Sequence, residues 1–128
     1  MTTTFVIDGA GITGLDSFWK AIGEAVNGPG GYFGSNLDAL ADCLSGGMGT
    51  PDDGDFVIEW RDHQQARRVL GHEETVRQLE LRLRRAHPSN RAAIEHELDR
   101  ARAGQGPTVF DRLVKVFEEQ APGALRLR

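Results

Sequence analysis

Three short stretches of the chain are rich in β-branched or alternating apolar residues, and the rest repeats its apolar residues every three or four positions. TTFVIDG, Thr3 to Gly9, is brief and ends in glycine, which predicts a first strand. DFVIEW, Asp55 to Trp60, predicts a second, and the closing ALRLR alternates as a third would. Between the first two, Leu15, Phe18, Trp19, Ile22, Ala25 and Val26 form one helical stripe that ends at the glycine- and proline-rich loop NGPGGYFG. A second helix follows. Ser35 stands as its N-cap with Asp38 three residues on, the spacing of a capping box; Leu37, Leu40, Ala41 and Leu44 supply its buried side, and SGGMG ends it. DHQQARRVL, after the second strand, predicts a helix with Ala66, Val69 and Leu70 inward.

The pattern then thins. ETVRQLELRLRRAH carries only Val76, Leu79, Leu83 and Ala86 on a narrow stripe, Pro88 breaks it, and a further helix starts with Ser89 as cap and turns Ile94, Leu98 and Ala101 inward. This is a charged helical hairpin. The last helix has a second capping box, Thr108 with Asp111, a stripe of Val109, Phe110, Leu113, Val114 and Phe117, and a Pro122–Gly123 stop. Strands separated by helices favour parallel pairing, so the expected fold is α/β, a three-stranded parallel sheet with helices packed on it.

Length and composition narrow the picture. A chain of 128 residues makes one modest core and one domain, 1–128. No run of about 18 apolar residues is present to span a membrane, and MTTTFVIDG has neither the basic nor the long apolar part of a signal peptide. Cys43, the single cysteine, can form no internal disulfide, which fits a reducing compartment; a cytoplasmic location is expected. Charge is divided unevenly: residues 1–60 hold nine acidic side chains against one base, Lys20, whereas residues 61–128 hold ten against 14. His63, His72, His87 and His96 show no metal-ligand spacing, no glycine-rich stretch joins a strand to a lysine-bearing helix, and no nucleophile is paired with a base. The expectation is a binding protein with no cofactor and no metal, not an enzyme.

The chemistry that stands out lies in YFGSNLDALADCLSGG, Tyr32 to Gly47. Asp38 belongs in the first helical turn, where the unpaired N–H groups and the helix dipole favour a carboxylate. Asp42 lies near the other end, where an anion is disfavoured by a few tenths to about 1 kcal/mol, and it repels Asp38 one turn away by a similar few tenths. Folding alone would place a base there, and local violations of this kind concentrate at functional sites. Tyr32 and Phe33 flank the helix on a glycine loop, and tyrosine is a frequent interface anchor, while Phe33 also suits a core.

The same segment resembles the signature of the barstar family of intracellular ribonuclease inhibitors: aromatic pair, glycine, Asn36, both aspartates and the cysteine stand at its offsets. FVIEWRDHQQARRVL is similar to that family's second strand and following helix, and VFEE, Val116 to Glu119, to the end of its last helix. The resemblance covers roughly residues 3–70 and 107–127, leaving 71–106 as an inserted charged hairpin. It implies a protein that binds a small basic ribonuclease of the barnase or Sa-like kind one to one and plugs its active site. Asp42 falls on the principal acidic residue, whose carboxylate occupies the place of an RNA phosphate; Asp38 and Glu119 match further acidic contacts. Tyr32, Phe33, Gly34 and Asn36 before the helix, and Ser45 and Gly46 after it, complete the implied partner-binding set. The pattern departs at Ala41 and Gly47, where the type member has tryptophans, and at Phe33, which replaces a tyrosine.

One stretch offers a different function. RQLELRLRRAH clusters Arg77, Arg82, Arg84 and Arg85, a composition that can neutralise nucleic-acid phosphates or dock another protein or toxin nuclease. Interleaved glutamates, the absence of aromatics and the net charge of −4 favour instead a solvated helical face.

Overall fold

The computed structural model describes residues 2–128. Its sheet has three parallel strands in the order β1 (Thr3–Asp8), β2 (Phe56–Arg61), β3 (Leu125–Leu127). Thr3 to Asp8 pair in register with Phe56 to Arg61, and Ile58 and Trp60 with Leu125 and Leu127. The period of two sorts the faces: Ile7, Phe56, Ile58 and Trp60 are buried on one side, while Val6 and Arg126 are exposed on the other. On that open side Glu59 holds Arg61 and Arg128 at 3.3 and 3.8 Å.

Parallel neighbours require crossovers. The first is α1 (Leu15–Asn27) and α2 (Leu37–Leu44); the second is α3 (His63–Val69), α4 (His72–Arg85), α5 (Pro88–Arg102) and α6 (Val109–Gln120). Phe18 and Ile22 from α1, Leu40, Cys43 and Leu44 from α2, and Phe110, Leu113 and Phe117 from α6 close over the sheet. Trp60 lies between Phe18 and Phe110, each ring centroid 5.1 Å away. Each fully buried side chain of this size contributes about 1.5–3 kcal/mol.

Two caps differ from the expected ones. Asn36, not Ser35, caps α2: its extended backbone lets Oδ1 accept from the Ala39 N–H at 2.8 Å, so the helix opens at Leu37 and Asp38 is not half of a capping box. Ser89 likewise lies inside α5. Pro88 opens that helix, where its missing N–H forfeits no bond, and the His87 Nδ1 accepts from the Ser89 N–H at 3.2 Å. The Thr108–Asp111 box is present, with bonds of 3.0 and 3.1 Å.

The α4–α5 pair has a separate small core of Leu79, Ile94, Leu98 and Ala101, edged by Val76, Leu83 and Ala86. Its junction with the main core is polar. Adjacent residues of α4 satisfy the first N–H of two other helices: Glu74 Oε2 accepts from Leu15 N at 2.8 Å, and Thr75 Oγ1 accepts from Val109 N at 2.9 Å while donating to the Gly71 carbonyl. Arg77 grips Glu74 through Nε and Nη2 at 2.6 and 2.9 Å.

Burial alone would push the Glu74 carboxyl up, but the bonds from Arg77, Leu15 and Gln78 together outweigh it and hold it below the usual range. A lowered folded-state pKa means that the clamp stabilises above the ordinary glutamate pKa of about 4.3 and fades as pH falls through the lowered value. Glu74→Gln should therefore cost about 1–3 kcal/mol in a urea titration at neutral pH, and the gap from wild type should shrink on acidification. An unchanged gap at pH 3, on the order of a full unit below that range, would exclude the ionised carboxylate as the clamp.

Candidate partner-binding face

Helix α2 turns Leu40, Cys43 and Leu44 into the core, and the same phase leaves Asp38 and Asp42 exposed together on its outer side. Among the described residues, no basic side chain lies within ion-pair distance of either carboxylate. Among the described residues the local penalty at Asp42 thus has no ion pair to offset it. Ser45 closes the helix, its hydroxyl donating to the Asp42 carbonyl at 2.6 Å, and Gly46 follows, exposed. Burial first, and the Asp42 carboxylate second, push the Cys43 thiol up, which marks it as an inert core group.

The loop ahead of α2 is laid directly on α1. Gly23 has no side chain where the Gly31 carbonyl rests against the helix, so any larger residue there would lift the loop. Phe33 and Gly34 are withdrawn from the surface, which corrects their expected place among the partner contacts. The Phe33 ring is 0% exposed in the core, and Gly34, at φ 99°, presses so closely on α2 that a Cβ would lie 2.9 Å from the Leu40 nitrogen. Tyr32 points the other way and is 52% exposed. Asn36 is exposed, but its Oδ1 is committed to the cap, leaving the amide NH2 for a partner.

Two residues absent from the sequence reading organise this face. The Asn27 side-chain amide, at the end of α1, donates to the carbonyls of Tyr32 and Met48, each at 2.8 Å. One group thereby fastens the loops on both sides of α2. The second residue is Met48, 43% exposed; it and Tyr32 are two of the three large apolar side chains left exposed among the described residues, the third being Val6 on the sheet. The only hint in the sequence was a lone methionine in SGGMG. Asn27→Asp keeps the shape, removes both donors and sets a carboxylate against two carbonyls, so it should cost about 2–3 kcal/mol and speed amide exchange in residues 31–33 and 47–49 together. Loosening of one loop without the other would show that they are held separately.

Glu119 reaches the same region from α6. It joins Asp38, Ala41, Val116 and Lys115 around a groove of about 640 Å³ between α2 and α6, and Lys115 approaches it to 3.7 Å. The four histidines are not gathered: His63 Nδ1 lies 2.7 Å from the Arg128 carbonyl and His72 Nε2 3.0 Å from that of Gly106. Among the described residues there is no cluster of three potential metal ligands and no helix long and apolar enough to cross a membrane.

The face thus carries two exposed, unpaired carboxylates on a short helix, with an exposed tyrosine on the loop ahead of it. A family model described as Barstar (barnase inhibitor) matches residues 2–123, α4 and α5 included, and the chain belongs to the barstar family. The members of this family are ribonuclease inhibitors.

Proposed function

We propose that this protein inhibits a small basic ribonuclease of the barnase or Sa type in the cytoplasm, binding it one to one and covering its active site with α2 and the loops around it. The supporting observation is the pair of exposed, unpaired carboxylates Asp38 and Asp42 on a helix whose other side is locked in the core. Asp42 enters the place of an RNA phosphate, where the cationic side chains that bind RNA supply the compensation it lacks in the free protein. Asp38, Asn36, Tyr32, Ser45, Gly46 and Glu119 surround it. Phe33 and Gly34 act from beneath by fixing Tyr32 and the start of the helix. In this reading residues 1–128 form one barstar-like domain, with 71–106 an added arm. Inhibition of RNA cleavage by barnase and Sa-type ribonucleases tests it: stoichiometric loss of activity is expected, and full activity of every such enzyme in the presence of excess protein would refute it.

A further inference from the structure

The α4–α5 arm stands beside the acidic face and walls a groove of about 590 Å³ that runs onto it. Trp19, Leu37 and Leu79 give the groove apolar sides. Asp38 lines one wall and Arg82 of α4 another, and the groove that holds Glu119 shares Leu37, Asp38 and Arg112 with this one. Arg82 is exposed and, among the described residues, has no carboxylate within ion-pair distance, whereas Arg77, Arg91 and Arg112 are paired with Glu74, Glu95 and Glu97. Arg84, two residues on, lines neither groove.

We propose that this groove is a second contact region for the same ribonuclease, receiving a projecting segment that lays an apolar side chain against Trp19 and Leu79 and turns a carboxylate toward Arg82. The inference rests on the reading of α2 as the inhibitory helix. A partner that covers Asp38 covers one wall of the groove. The opposite wall is anchored to α1 through Glu74 and to α6 through Thr75, so the partner must either fill the space or collide with α4. Filling it takes water from Arg82, and a desolvated guanidinium requires an opposite charge; Asp16 and Asp38 line the same groove but neither lies within ion-pair distance of Arg82, so a carboxylate from the partner supplies it. Enzymes that are blunt or basic at this place are therefore rejected, and the arm acts as a selector among ribonucleases that α2 alone would accept.

The test compares Arg82→Glu, Arg82→Gln and Arg84→Glu against whichever barnase or Sa-type ribonuclease the wild type inhibits. Thermal melts of the three variants verify folding. Arg82→Glu should raise Kd roughly tenfold or more, Arg82→Gln by a smaller factor, and Arg84→Glu by less than about threefold. Amides 78–82 should gain exchange protection in the complex. Equal effects at positions 82 and 84, or no added protection on α4 while inhibition persists, would overturn the proposal and leave the α2 reading intact. Absence of inhibition by the wild type would remove both, and RNA binding sensitive to Arg82 and Arg84 alike would assign the arm to nucleic acid instead.

Discussion

Asp42→Ala should weaken the ribonuclease complex by about 2–5 kcal/mol or more, a range for which barnase and its inhibitor are themselves a reference system rather than a value obtained from this chain. That corresponds to a roughly thirty-fold to several-thousand-fold rise in Kd. The same change should leave the free protein as stable as before or more stable by a few tenths of a kcal/mol. Asp42 is exposed, no base is paired with it, it lies near the C-terminal end of α2, and alanine both removes its repulsion of Asp38 and is the better helix former. Opposite signs for binding and stability are the signature of a residue kept for its partner. Titration calorimetry and a urea transition measured on one preparation provide both numbers. The association rate of the wild type should also fall as salt rises, because the acidic half steers the encounter. A variant that binds as tightly as wild type would move the inhibitory centre away from α2.

Phe33→Ala should destabilise the protein by about 3–5 kcal/mol, a large part of what a domain of this size has. The ring is wholly buried with Leu40 and Phe18, and its neighbours in the loop are held by backbone contacts to Gly23 and Leu40 that cannot collapse into the space. Tyr32→Ala, one residue away, should do the reverse: stability within about 0.5 kcal/mol of wild type and a measurably weaker complex. Urea transitions of the two variants separate the roles. A loss below about 1 kcal/mol at Phe33 would mean that the loop packs less tightly than described.

The parts of this fold that follow a period were legible in the sequence, because the period itself is the physical cause. Helical spacing placed Leu40 and Leu44 on the buried side of α2, away from Asp38 and Asp42, whereas the unbroken apolar run Phe56–Ile58 marks a strand without saying which face is buried. The caps were less legible. Ser35 and Asn36 are adjacent and both competent, and only the backbone angles decide between them; at α5 the preference for serine yields to the proline, which fits at the first helical position and moves the cap to His87. Contacts distant in sequence left no local trace at all. Asn27 meets a carbonyl 21 positions away, and Glu74, which reads as one more solvated glutamate in a charged helix, is buried against Leu15, 59 positions away. Phe33 and Tyr32 show the remaining ambiguity: two aromatics side by side in a loop carry no period to say which one faces inward.

A chain with two hydrophobic centres joined at a polar seam also has two levels of cooperativity. Four buried side chains hold α4 to α5, against eighteen in the centre built on the sheet, so the distal part of the arm is the smaller cooperative unit, while the start of α4 stays tied to α1 and α6 through Glu74 and Thr75. That separation lets the packing of the arm be altered by substitution with little effect on the core that carries α2.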